Sequence, residues 1–223
     1  MGKRVMVLFL SPRDMLKNRV DPIVIMNFCA GLRRNGVDVE LLCPFFFREE
    51  NVSRRKIWSL YSIEDDLFRV RHFPTILWDN APVLWVRLNR FGVHLFESFR
   101  KFLVLREYNK WDRYIIYSKC YSSIYPYLLL KPFLKDKAIF VYEATTPPLN
   151  RWGEWVIKNV DWVVSVSSFL KEELINKFGI CGDRVVVEPM GVRRDFLDVG
   201  VSKRIARENL GLSEDNFYVG YTG

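Results

Sequence analysis

Seven short apolar runs, separated by helical stretches, limit what this chain can fold into more than any other feature. They cover residues 4–10, 37–43, 67–73, 112–117, 138–142, 162–166 and 184–188. Most are rich in Val, Ile and Phe and apolar on both faces, as strands covered by helices on each side must be. Helical patterns fill the gaps at 83–106, 124–134, 152–159 and 169–178. The first unit shows the logic: a strand at 4–10, Asp21 as N-cap, Pro22 at the first helical position, Gly36 as C-cap, then a strand at 37–43 ended by Pro44. A crossover of that length suits parallel pairing. The expected class is α/β: a Rossmann-like three-layer sandwich with a mostly parallel, roughly seven-stranded sheet.

A boundary is expected near residue 200. Residues 1–200 form the first domain, and 201–223 hold a linker, a short helix capped by Ser202 and a strand starting at Phe217. That closing run, Phe217 to Gly223, reads as the start of a second α/β domain. A strand without a sheet leaves its edges unpaired, so a further domain is expected.

Composition narrows the function classes. The net charge of +8 favours an anionic partner: a nucleotide diphosphate, a phospholipid or a membrane surface. No zinc-finger, basic-zipper or RNA-binding aromatic pattern is present, so nucleic acid is not an expected partner. Cys29, Cys43, Cys120 and Cys181 are far apart and form no CxxC pair, which suits free thiols in a reducing compartment and no metal site. No apolar run reaches the ~18 residues of a membrane span.

Five segments could carry chemistry. The loop 11–20 follows the first strand, at the end where open α/β sheets bind ligands. Ser11, Pro12 and Arg13 are candidates there, with Lys17 and Arg19 adding charge. It lacks GxGxxG, and a solvated loop is the alternative. Segment 44–62 interleaves aromatics with bases, so Arg54, Arg55, Lys56 and Trp58 are candidate membrane contacts; the alternative places its aromatics in the core. In 83–106, Arg87, Arg90, His94, Glu97 and Lys101 mark a polar stripe. Leu84, Leu88, Phe91, Leu95 and Phe99 mark a wide apolar face expected to pack on the core, with docking on a membrane or a partner as the alternative. Glu143 and Thr145 end a central strand and could grip hydroxyls; a plain strand-end turn is the alternative. Gly191 offers positive φ or close backbone approach beside Arg193 and Arg194, which could meet a phosphate; the alternative is a glycine turn with exposed arginines. His72 and His94 read as structural, and no catalytic residue or triad emerges.

Residues 159–174 (NVDWVVSVSSFLKEEL) resemble the A-D-x-hydrophobic-x-x-x-S-x-x-x-x-x-x-L stretch of retaining GT-B glycosyltransferases of family 4. Residues 188–196 (EPMGVRRDF) resemble the P-N-G-V-D-x-x-x-F that follows in that family, with Met190 for Asn and Arg193 for Asp. Residues 32–39 resemble its L-x-x-x-G-H-x-V, with Asp38 for His, and 220–223 resemble the first glycine turn of its second domain. The glycine pair common in the family's first loop is missing from 11–20. Ala144 or Thr145 stands where many members carry a histidine.

The resemblance implies the N-terminal, acceptor-side half of a GT-B fold. The whole enzyme would transfer a sugar from a nucleotide-sugar donor with retention, needing no cofactor or metal. The donor would be held mainly by the second domain, so the 223 residues alone are expected to be inactive. Ser11, Pro12, Arg13, Gly191 and Arg193 would line the donor-diphosphate side, and Glu143 and Thr145 the acceptor side. A sugar or lipid-linked acceptor, an anionic membrane surface and a cytoplasmic location at the inner membrane face complete the expectation. The alternatives are a non-catalytic basic module docking on membranes or proteins, and half of a GT-B sugar-nucleotide epimerase.

Overall fold

A computed structural model describes residues 4–12, 15, 20–46, 56–75, 88, 91–92, 94–96, 98, 110–189, 191, 200–213 and 215–218, with backbone alone at 20, 45–46, 56, 73–75 and 135. The chain divides into two compact units, Met1–Glu188 and Pro189–Gly223.

The first unit is a seven-stranded sheet in the order β3-β2-β1-β4-β5-β6-β7. Its strands are β1 (Val5–Leu10), β2 (Asp38–Phe46), β3 (Arg69–Thr75), β4 (Arg113–Ser118), β5 (Ala138–Ala144), β6 (Trp162–Ser165) and β7 (Val185–Val187). Every pairing is parallel. The helices are α1 (Val20–Arg34), α2 (Lys56–Leu60), α3 (Tyr121–Leu129), α4 (Lys131–Leu134), α5 (Arg151–Asn159) and α6 (Ser168–Phe178).

Strand alternation sorts the core into two layers. Val7 and Phe9 of β1, Leu41 and Cys43 of β2 and Tyr117 of β4 pack with Ile25, Met26 and Cys29 of α1 and Ile57 and Trp58 of α2. On the other face, Leu8, Leu10, Ile116, Phe140 and Val163 pack with Ile124 and Tyr127 of α3, Val156 and Ile157 of α5, and Leu170 and Leu174 of α6. This is the expected three-layer sandwich.

Local chemistry sets the helix ends on the second face. Asn150 caps α5 by accepting from the Gly153 amide at 2.9 Å. Gly153 suits the tight approach there, where a Cβ would lie 3.2 Å from the Pro148 Cβ. Ser167 caps α6 by accepting from the Leu170 amide at 3.2 Å, and Gly179 closes it at φ 66°.

Two sequence expectations change. Pro44 does not end β2, which runs on beside β3 to Phe46. The Leu42 carbonyl accepts from Ser11, just past the end of β1, at 2.9 Å. Pro44, two residues on, faces the same side where β1 has already ended, so its missing N–H leaves no ladder bond unmade. The apolar face expected within 83–106 also changes: among the described residues there, His94 and Ser98 are buried, Phe91 is half-buried, and Leu88, Leu95 and Phe96 are exposed.

The second unit holds one described helix, α7 (Lys203–Asn209), capped by the Ser202 side chain on the Ile205 amide. Phe217 and Tyr218 are not in a strand, and 219–223 lie outside the described residues.

Candidate functional site

The chain runs from β1 outward to β3, then returns to the other side of β1 at β4 and runs outward to β7. That reversal opens a crevice at the carboxyl ends of β1 and β4, where doubly wound sheets bind ligands. Ser11 follows β1, and Lys119 follows β4. The register pairs Phe9 with Tyr117 and Leu10 with Ser118, so the two strands end level. The Ser118 hydroxyl donates to the Leu10 carbonyl at 2.9 Å and ties the two ends together.

Glu143 of β5 reaches into this region. Tyr117, Lys119 and Glu143 share one sheet face by strand parity. The Tyr117 hydroxyl donates to Glu143 Oε2 at 2.5 Å, and Lys119 Nζ lies 2.6 Å from Oε1. The carboxylate is almost fully enclosed, at 5% exposure, while the Lys119 side chain keeps 19%. An ammonium is thus held at the crevice by a carboxylate beneath it.

The surroundings favour neutral neighbours and a fixed geometry. Phe28 of α1 stacks on the Tyr117 ring at 5.0 Å. Burial pushes the Tyr117 phenol far above its ordinary value, and the negative charge of Glu143 adds to the shift, as do its hydrogen bond, Cys29 and Glu188. Tyr117 therefore stays protonated and donates. Burial also raises the Cys29 thiol, with Lys119 opposing. Beneath the neighbouring strand, the Tyr142 phenol is raised by its own burial.

The candidate residues from the sequence divide clearly. Ser11 is buried and holds the Leu42 carbonyl through its amide; Pro12 is half-buried beside it. Met15 anchors the same loop, its carbonyl accepting from the Tyr61 hydroxyl at 2.6 Å. Glu143 stands at the crevice, but its oxygens meet Tyr117 and Lys119. Thr145 is exposed at the rim. Arg13 and Arg193 lie outside the described residues, as do Arg54, Arg55 and the Lys56 side chain. Gly191 belongs to the second unit, and the reason expected for a glycine there is absent: its φ is not positive, and an added Cβ would meet nothing within 4 Å.

Trp58 is a correction. It is buried and packs edge-to-face on Phe68 at 4.9 Å, so it is a core side chain and not a membrane contact. Tyr61, also buried, tethers the first loop. The amphipathic look of 44–62 comes partly from core aromatics.

Lys119 and Tyr117 were missed in the sequence. The available signal was a lone lysine one residue past β4, level with a glutamate near the end of β5. Asp161 of the 159–174 stretch is structural. It accepts from Lys131 Nζ at 2.6 Å and from the Phe140 amide at 2.8 Å, locking β6 beside β5.

Among the described residues, no group of three or more His, Cys, Asp or Glu side chains is placed to hold a metal ion. No described helix is long and apolar enough to cross a membrane. A cavity of about 680 Å³ lies among Arg33, Asp38 and Arg69, where β2 and β3 begin. It is at the opposite end of the sheet from the crevice, so its size does not make it the ligand site.

A doubly wound α/β unit with its polar cluster at the switch point is the architecture of one half of a GT-B glycosyltransferase. The profile of Glycosyltransferase Family 4 matches residues 23–196, and the chain belongs to that family. No curated protein matches the sequence. Among solved structures, a glycosyltransferase from Rickettsia africae is similar at 16% identity and a TM-score of 0.56, over 96% of this chain and 51% of that one. The catalytic domain of starch synthase IV from Arabidopsis thaliana, solved with ADP and acarbose, is similar at 11% identity and 0.57, over 97% and 61%. A sucrose-phosphate synthase chain from Thermosynechococcus elongatus is similar at 10% identity and 0.54, over 92% and 99%. At such identities the likeness is one of fold. The chain spans about half the length of the Rickettsia protein.

Proposed function

We propose that this chain is the acceptor-side domain of a retaining glycosyltransferase that takes a sugar from a nucleotide-sugar donor and passes it to a lipid-linked or membrane-proximal acceptor. Family membership over residues 23–196 is the observation that carries the reading. The crevice chemistry supports it. Lys119, braced by Glu143, offers a cation to an anionic group at the switch point. Thr145 offers a hydroxyl at the rim. A second α/β domain would bring the donor; two structurally similar proteins were solved with UDP and with ADP. The domain division is part of this proposal, with the second domain beginning near residue 200. Arg54, Arg55 and Lys56 remain proposed contacts to anionic lipid, and Arg13 and Arg193 to the donor diphosphate.

The test is transfer. The chain extended through its following reading frame is offered labelled nucleotide sugars and a lipid extract. Donor-dependent label in the lipid, absent for residues 1–223 alone, is the expected result. Donor isomerisation without an acceptor would favour the epimerase alternative, and no donor response would favour a docking module.

A further inference from the structure

We infer that an aromatic shelf on the helices of the second face is a docking surface for an anionic lipid bilayer, separate from the basic cluster at 54–56. The shelf is built from three elements. Trp152 of α5 stacks on Tyr125 of α3 at 5.0 Å with the rings 15° apart, and Trp155 meets the same Tyr125 at 4.9 Å. Phe91 joins them, 5.8 Å from Tyr125 and 6.5 Å from Trp152.

This is not a core cluster. Trp152 is 54% exposed, Trp155 39% and Leu149, just ahead of α5, 87%. In the segment that carries Phe91, Leu88 is 55% and Phe96 64% exposed, while His94 and Ser98 are buried. Exposed apolar surface clustered in this way marks an interaction site.

The composition selects the occupant. Tryptophan and tyrosine concentrate where an apolar ring meets polar headgroups, and leucine and phenylalanine supply the part that enters the acyl region. Charge complementarity selects the lipid. The chain carries a net charge of +8. Arg151 is exposed at the start of α5, beside Trp152. A basic chain with an arginine at its apolar shelf meets an anionic leaflet favourably.

The place of the shelf gives it a purpose, which rests on the acceptor reading above. α3 follows the carboxyl end of β4, and α5 follows that of β5, so Leu149 and Trp152 share the rim with Lys119 and Glu143. Docking there sets the crevice mouth against the headgroup layer, where the head of a lipid-linked acceptor would lie.

Vesicle binding tests the docking without any transfer reaction. The 223-residue chain is sedimented with phosphatidylcholine vesicles, with and without phosphatidylglycerol. Its tryptophan emission is followed with acyl-brominated lipid. Retention by the anionic vesicles is expected, with quenching. Leu149→Ser with Trp152→Ser should lower the partition coefficient at least tenfold. Leu88→Ser with Phe96→Ser is the second variant, because both side chains are more than half exposed. Near-UV circular dichroism checks that both variants stay folded.

Absence of vesicle binding overturns the proposal. So does binding that both variants retain but that Arg54→Ser, Arg55→Ser and Lys56→Ser abolish, which would move the contact to that basic cluster. A concentration-dependent dimer dissolved by the shelf variants, without vesicle binding, would make the shelf a protein interface and also overturn it. A chain that docks as described, in an extended protein that transfers no sugar, would sink the enzymatic reading and leave the docking surface standing.

Discussion

Removing Lys119 should cost far more than removing its partner. In Lys119→Met, Glu143 keeps the Tyr117 hydroxyl while remaining almost fully enclosed. Breaking a buried pair from one side costs about 3–5 kcal/mol, and a loss in that range is expected at pH 7. Glu143→Gln behaves differently. Glutamine still accepts from Tyr117, and the Lys119 side chain, 19% exposed, can turn to water. A loss of about 1 kcal/mol is expected. The double variant strands no charge and should be more stable at pH 7 than Lys119→Met alone. Urea unfolding of the three variants reads all of this. Equal losses for the two single variants, or a double variant no more stable than Lys119→Met, would refute the picture of a buried carboxylate braced by lysine.

Three further outcomes follow from the same geometry. Tyr117, Tyr142 and Cys29 are all held protonated above their ordinary values of 10.0, 10.0 and 9.0, so their contribution to stability is complete below those values. It is lost as pH climbs beyond them, because the unfolded chain then releases protons that the folded one keeps; the melting temperature should fall above about pH 9, less steeply in Tyr117→Phe. Trp58→Ala should cost about 3–5 kcal/mol as a core truncation and leave vesicle binding unchanged at a temperature where the variant is folded. Asp161→Ala should cost about 2 kcal/mol through its bonds to Lys131 and Phe140, and Ser167→Ala about 1 kcal/mol through the lost cap; chemical denaturation measures both.

Those last two residues show what the sequence could and could not say. The 159–174 stretch identified the family, yet its Asp161, Ser167 and Leu174 serve a strand brace, a helix cap and a buried contact. The pattern is recognisable because this corner of the fold demands it. The seven strands were legible for a related reason: a sheet covered on both sides needs continuous apolar runs, and such runs are visible one at a time. Pairings across the sheet were not. Lys119 stands 24 positions before Glu143 in the chain, and only the parallel register brings them together. Residues 83–106 differ again. Periodicity showed one polar and one apolar side but carried no information about which side faced the core, and among the described residues there His94 and Ser98 are buried while Leu88, Leu95 and Phe96 are exposed. Trp58 was misplaced because interleaved bases and rings look alike whether the rings enter a bilayer or a core.

The most direct test of the central claim is the anomeric configuration of a transferred sugar. Proton NMR of the product made by the extended chain from a nucleotide sugar would show the donor's configuration kept in the new glycoside. An inverted product, or a donor left untouched in the presence of every acceptor lipid offered, would contradict the assignment of this domain to a retaining glycosyltransferase.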